Sequence, residues 1–495
     1  MKTSSIGTVV AAMVVCAALH AQTPTFVQKT YAGVYTYNHA DLNNDGREDL
    51  IYHTQTGFAV ELSNGPGTYA APVAYNVPDN EPSATVSIDL NNDGKLDEIA
   101  YNSFAPGFYE YLNTGDGALS MQGTFAMANI QDMVVGDFNH DGYPDLAVLI
   151  TGPGNGTTIN VLFNDQRGGF TAGPFTVSPV FGQITEGDFD GDGAADLAIT
   201  GNGNGAVSTY LYFGDNTGHF TAVNATTGHQ AYYYLMDIDG DGKSDLVGAA
   251  AGTASNGGPL VYKDVFVIYG NQFRNTIESS IPLSGYAVPW TWGASAPEKS
   301  PTVDVADFNG DGFRDFALVE AANSDGSGDR TLAVLLGNDS RQWNTEVDVY
   351  THYELDFGVA AIRANDALKP DLLVDTVATS GTTSAQFFIN DTSGGYFGGC
   401  EYPNTAVGIN VCSPTTYDST SALFSASAAG QTTLRKLEVW VDGVKKYQEI
   451  AKHDYSHYGL MDGTVTLSPG THDVTIIAAG YDNLEVKKSY TVTVP

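Results

Sequence analysis

Basic side chains are scarce in this chain. Lys and Arg number 21 against 57 Asp and Glu, a formal net charge of −36 over 495 residues. That sign excludes nucleic acid and anionic membrane surfaces as partners, because phosphate binding needs the opposite charge. So many carboxylates must be spread through solvent or neutralised by bound cations. Long apolar runs are missing after the first 20 residues, which leaves no segment able to anchor the protein in a bilayer. No stretch keeps a sustained helical period, and this excludes a helical repeat array. Neither H-e-x-x-H nor G-x-S-x-G occurs, so two common hydrolase signatures are absent. Cysteine is limited to Cys16, Cys400 and Cys412, and tryptophan to four residues.

What is present at the N-terminus reads as an export signal. Lys2 supplies a positive start, an apolar run extends from Val9 to Leu19, and Ala21 offers a small residue for cleavage. Residues 1–21 are therefore expected to be a signal peptide and the mature protein to be secreted, extracellular or periplasmic. Cys16 is preceded by Val15, where a lipoprotein signal wants a small residue. Cleavage leaves Cys400 and Cys412. In an exported protein one close pair is expected to form a disulfide, contributing about 3 kcal/mol in the chain-entropy view. Two free buried thiols are the alternative.

The abundant residues are Gly, Asn, Asp, Thr and Tyr, which favour turns and strands. They are organised by a ten-residue phrase that recurs six times. DLNNDGREDL, DLNNDGKLDE, DFNHDGYPDL, DFDGDGAADL, DIDGDGKSDL and DFNGDGFRDF begin at Asp41, Asp89, Asp137, Asp188, Asp237 and Asp307. A period of about 50 residues points to a propeller or a solenoid. Within each period an apolar strand leads into the phrase, a second strand follows at once, and turn-rich segments separate a third and fourth. Four short strands per period is the pattern of a propeller blade. A degenerate seventh unit lies at IRANDALKPDLLVDTV, where Asp371 keeps the last acidic place while Arg363 and Ala367 occupy two others. Seven units predict a seven-bladed ring over residues 22–398. FVQKTY at 26–31 is placed to supply the outer strand of the last blade.

The phrase has the chemistry of a cation loop. Counting from its first aspartate, oxygen side chains fall at places one, three, five and nine, glycine falls at place six, and place seven can offer its backbone carbonyl. The candidate ligands are Asp41, Asn43, Asp45, Arg47 and Asp49; Asp89, Asn91, Asp93, Lys95 and Asp97; and Asp137, Asn139, Asp141, Tyr143 and Asp145. The later copies add Asp188, Asp190, Asp192, Ala194 and Asp196; Asp237, Asp239, Asp241, Lys243 and Asp245; and Asp307, Asn309, Asp311, Phe313 and Asp315. All-oxygen ligation with several carboxylates favours Ca2+ over zinc, copper or magnesium, giving about six sites. Place twelve never holds the glutamate of an EF-hand, so the aspartate at nine is expected to close the shell. Metal-free Asx turns are the alternative.

These repeats resemble the FG-GAP/VCBS-type units found in integrin alpha subunits and many secreted bacterial proteins, with VVGDFNHDGYPDLAV and its relatives carrying the likeness across residues 26–395. The resemblance implies a calcium-binding β-propeller whose metal loops lie on one face and whose ligands bind the other. It is silent on activity, since adhesion modules, lectin-like proteins and accessory domains of enzymes share it. Beyond residue 399 the acidic phrase stops, and residues 401–495 hold seven of the 21 basic residues. Alternating segments such as KLEVWVDG, VKKYQEI and HDVTIIAAG, with a hairpin turn at Asp442-Gly443, predict a β-sandwich. Residues 399–495 look like a bacterial Ig-like domain, with Trp440 as its core tryptophan.

No catalytic constellation emerges. His453 and His457 fall four apart, but between expected strands, and are read as surface or turn residues. The glycine-rich GPGNG (152–156) and GNGNG (201–205) lie within blades and are read as loops. The interval between the fifth and sixth phrases is the longest, and part of the excess holds Tyr286, Trp290 and Trp292. Long loops on a rigid scaffold carry function, so these three are the candidate ligand-binding residues; packing of the insertion onto the propeller is the alternative. The sequence is thus read as an all-β, monomeric binding or adhesion module for an extracellular glycan or protein. A polysaccharide-active enzyme such as a lyase is the second reading.

Overall fold

The computed structural model describes residues 23–495 apart from short stretches, of which the longest are 226–232, 288–302, 393–406 and 451–457. Among the described residues there is no helix, and hence none long and apolar enough to cross a membrane. The signal segment, Trp290, Trp292, Ala367, Cys400, His453 and His457 lie outside the described residues.

Strands follow the phrase spacing. The strands Ile130–Gly136, Asp145–Thr151, Thr157–Asn164 and Phe170–Ser178 pair in sequence order as one antiparallel sheet. Similar sheets are built by residues 36–76, 84–126, 181–225, 233–282 and 355–390, and a five-stranded one by 286–352, where Tyr286–Ala287 and Val303–Ala306 both pair with Asp315–Ala321. Inner strands such as Asp145–Thr151 and Gly107–Asn113 are mostly buried, while outer strands such as Leu119–Ala126 are more exposed. That gradient follows from position: inner strands are covered by neighbouring sheets on both faces, and outer strands meet water.

Each apolar cluster straddles two or more sheets. Phe138, Leu149, Ile184 and Tyr212 join the sheets of 130–178 and 181–225, and Val267, Val305 and Phe316 join those of 233–282 and 286–352. The last sheet packs back on the first, because Leu50 is buried among Ile362, Leu373 and Phe387. The same seam has a polar clasp, in which Glu48 N–H donates to Arg363 O at 2.9 Å and Arg363 N–H donates to Glu48 Oε2 at 2.6 Å. The N-terminal strand Phe26–Ala32 pairs with Thr383–Asn390, from Phe26 opposite Asn390 to Ala32 opposite Ser384, and becomes the outer strand of the last sheet. The edge is thereby covered, as the sequence suggested.

The C-terminal segment forms two further sheets. Gly408–Val411, Ser421–Ala429 and Tyr458–Thr466 make one; Val444–Ile450, Leu434–Val441, Gly470–Gly480 and Glu485–Val494 make the other. They share one core that includes Phe424, Met461, Leu437, Val439, Val474 and Ile476. Asp442 and Gly443 turn the hairpin between Leu434–Val441 and Val444–Ile450 with φ of 52° and 77°, the left-handed pair that a tight two-residue turn requires. One expectation is corrected here. Trp440 is only half-buried, and its Nε1 donates to Glu438 Oε2 at 2.7 Å. Strand alternation turns Leu437, Val439 and Val441 into the core and sends Trp440 to the other face.

Candidate metal loops and the opposite face

In every phrase the acidic loop connects the first strand of a sheet to the second. The loop can turn so tightly because two places take left-handed backbone. Place four does so at Asn44, Asn92, His140, Gly191 and Gly310, with φ between 56° and 75°, and place six at Gly46, Gly94, Gly142, Gly193 and Gly242, with φ between 84° and 91°. Place six therefore needs glycine.

The oxygen side chains collect backbone N–H groups in one repeated scheme. The aspartate at place one accepts the N–H of place six, at 2.7 Å in Asp41, 2.9 Å in Asp89 and Asp188, 3.0 Å in Asp237 and 3.1 Å in Asp137. Place three (Asn43, Asn91, Asn139, Asp190, Asp239, Asn309) accepts the N–H of place five at 2.9–3.2 Å. Place five accepts the N–H of place seven in all six loops, from Arg47, Lys95, Tyr143, Ala194, Lys243 and Phe313. In three loops the residue at seven also pairs its side chain with the carboxylate at five: Arg47 with Asp45 at 2.7 Å, Lys95 with Asp93 at 3.1 Å and Lys243 with Asp241 at 2.7 Å.

Place nine is the most constant. One oxygen of Asp49, Asp97, Asp145, Asp196, Asp245 and Asp315 accepts the N–H of place two at 2.8–3.2 Å. The other accepts an N–H at or just past the end of the third strand, from Ser63, Asn113, Asn164, Gly214, Gly270 and Gly337, at 2.6–2.9 Å. This aspartate clamps the loop to the sheet, a role the spacing alone did not reveal.

The carboxylates converge where the third place is also acidic. Oxygens of Asp188, Asp190 and Asp196 lie within 4.8 Å of one another, as do those of Asp237, Asp239 and Asp245. The groups that meet are thus places one, three and nine, while place five turns toward the residue at seven. Burial, with repulsion from the neighbouring aspartates, raises Asp49, Asp145 and Asp196 to about 8 and Asp97 to about 7. Burial likewise pushes Asp245 and Asp315 well above the ordinary carboxylate range, again with help from the aspartates beside them. Carboxylates held this close take up either protons or a cation, and an all-oxygen donor set on a flexible turn fits a hard divalent ion. In the fourth loop Arg274 supplies part of that charge, with Nε donating to Asp190 Oδ2 at 2.6 Å.

Tyr286 lies at the other end of its sheet. It pairs with Ala321, whereas the acidic loop enters the same strand at Asp315. Its ring is half-buried, and the exposed Lys263 holds its Nζ 4.7 Å from the ring centroid. Nearby, Ser284 Oγ donates to Glu346 Oε1 and sits 3.2 Å from Glu320 Oε2, which also accepts Gly285 N–H at 2.7 Å. Burial, with Glu346 beside it, pushes Glu320 up to about 7. Sequence reasoning missed this group of Ser284, Glu320 and Glu346, because its three members come from strand ends far apart in the chain.

Comparison with known proteins shows what the repeated loops and strands are similar to. Residues 41–100, 89–148 and 188–248 match the FG-GAP-like repeat. Each matched stretch runs from one acidic loop through most of a sheet and across the next loop into its second strand. Three stretches of this all-β chain are thus similar to FG-GAP-like repeats. No curated protein matches it in sequence. Among solved structures, an Agrocybe aegerita lectin that recognises non-reducing terminal N-acetylglucosamine is 16% identical, with 68% of this chain and 82% of the lectin covered and a TM-score of 0.41. An exo-β-1,3-galactanase from Phanerochaete chrysosporium is 9% identical, with 94% and 99% covered and a TM-score of 0.31.

Proposed function

We propose that the protein is a secreted binding module: a seven-bladed, calcium-stabilised propeller that presents the ends of its sheets away from the acidic loops to an extracellular glycan or protein. The observation that carries this reading is the acidic loop itself, repeated six times with one hydrogen-bond scheme and always at the same end of its sheet. Six such loops make one face a scaffold and leave the opposite face for contacts. Tyr286, on the segment that leads to Trp290 and Trp292, stands there with Lys263, which precedes the strand Asp264–Ile268. Each cation would be held by the side chains at places one, three and nine, with five and the carbonyl of seven completing the shell. Bound there, it turns mutual repulsion of carboxylates into attraction. Residues 399–495 are an Ig-like domain, and a Cys400–Cys412 disulfide fastens its entry segment.

Exhaustive chelation should lower the melting temperature, and Ca2+ should restore it better than Mg2+, because an ion that binds only the folded state stabilises by mass action. An unchanged melting curve would sink the calcium reading. Thiol counting on denatured, unreduced protein should find essentially none; two reactive thiols would refute the bridge. A glycan array combined with depolymerisation assays tests the function: binding without product release is expected, and release of oligosaccharide would move the protein to the polysaccharide-active reading. On a ligand so found, replacing Trp290 and Trp292 by Ala should each cost about 2 kcal/mol or more of binding, with melting unchanged.

A further inference from the structure

The six acidic loops are alike in sequence and unlike in exposure. Asp45, Asp93, Asp141 and Asp192 at place five are exposed and Asp241 is half-buried. In the sixth loop Asp311 is only 6% exposed and Asn309 is fully buried. The C-terminal sheets reach the fifth and sixth loops. Thr464, on Tyr458–Thr466, donates from Oγ1 to Asp311 O at 3.0 Å. Gln448, on Val444–Ile450, lies against Gly242: its Nε2 donates to Gly242 O at 3.3 Å, and a Cβ added to Gly242 would stand 3.0 Å from Gln448 Cβ. Lys445 Nζ fixes the amide by donating to Gln448 Oε1 at 2.7 Å. Both contacts fall on backbone atoms of places five and six, where the loop turns most tightly.

The acceptors used by the C-terminal domain are therefore carbonyls whose positions depend on the loop keeping its turn. In the fifth loop the turn gathers the carboxylates of Asp237, Asp239 and Asp245 within 4.8 Å of one another, and in the sixth it holds Asp307, Asp311 and Asp315 within one short phrase; a bound cation offsets the repulsion in both. We propose that the fifth and sixth loops form a divalent-cation-dependent socket for the C-terminal domain: cations at these two loops fasten the domain, and the docked domain tightens cation binding there and not at the other four. The second half follows from the first, because coupling between two binding events is reciprocal. The inference rests on the calcium reading, and its test separates the two.

Spin labels on Val177→Cys and Lys487→Cys, both at exposed positions, report the distance between the sheet array and the C-terminal domain in the full chain, while native mass spectrometry counts bound Ca2+. With Ca2+ a single distance is expected. Asp239→Ala with Asn309→Ala should lose two cations and broaden the distance, whereas Asn43→Ala with Asn91→Ala should lose two cations and leave it single. Gln448→Ala with Thr464→Val should weaken two of the six sites by about tenfold, within the usual range of coupling between sites, and leave four unchanged. Equal broadening by both loop pairs, or six unaltered sites in the Gln448/Thr464 variant, would overturn the socket while leaving calcium binding in place. Absence of bound Ca2+ in the unmodified chain would overturn both.

Discussion

Asp371 keeps the ninth place of a phrase in which Arg363 and Ala367 replace the aspartates of places one and five, and its surroundings explain why. It is fully buried, and its two oxygens accept Ala364 N–H at 3.0 Å and Asn390 N–H at 2.7 Å, the same clamp made by the ninth aspartate of the six intact loops. Removing it strands two buried donors, at about 1–3 kcal/mol each. Asp371→Ala should therefore lower the denaturant midpoint substantially, by the same amount with and without chelator, while native mass spectrometry finds the cation count unchanged. Glu320 gives a pH-dependent counterpart. Its carboxyl is raised to about 7, by burial and then by Glu346. A group raised in the folded state holds its proton there after the unfolded chain has released it, so it erodes stability as pH rises from about 4.5 to 7 and exerts its full cost above that window. Glu320→Gln should flatten this part of the stability profile and gain relative to the unmodified protein at pH 8 compared with pH 5. A parallel shift at both pH values would contradict the assignment.

At the scale of the element, the unit is a loop docked on a strand end. The residue whose N–H completes the clamp after the third strand is Asn or Gly in six of the seven sheets, for two steric reasons. Asn113, Asn164 and Asn390 use Nδ2 to reach the carbonyl at place eight, at 2.9–3.1 Å. Gly214, Gly270 and Gly337 have that carbonyl where a side chain would begin; a Cβ on Gly337 would stand 2.0 Å from Arg314 O, which already accepts Trp343 Nε1. Gly337→Ala should cost about 1–3 kcal/mol by overpacking. Gly156, with nothing within 4 Å of a Cβ, is the control. Thermal melts of the two variants should differ clearly, and equal melts would show that the strand end yields freely.

For the whole molecule, closure is the decisive event. The strand Phe26–Ala32 covers an edge that contains Phe387, Phe388 and Ile389, all buried. Deleting residues 23–32 should expose a row of unpaired backbone groups beside apolar side chains, a template for association between copies. Light scattering should detect concentration-dependent aggregation well below the melting temperature of the full chain. A monomeric deletion variant would mean that the last sheet is held by its contact with the first, through Leu50 and the Glu48–Arg363 clasp, rather than by the added strand.

The sequence by itself determined the repeat, the strand order within it, the glycine at place six and the N-terminal strand's partner. These are local or periodic features: a left-handed turn demands glycine wherever it occurs, and a period of about 50 residues with alternating apolar strands has few all-β solutions. Tertiary structure alone decided which oxygens converge. The spacing offered places one, three, five and nine as equals, and packing set nine to clamp the third strand and turned five toward the residue at seven. It also decided that Trp440 faces away from its core, that Ser284, Glu320 and Glu346 meet, and that Gln448 and Thr464 sit on loops some 150 to 200 residues earlier in the chain. Such contacts depend on how finished sheets pack, and neither periodicity nor spacing within one segment carries that information.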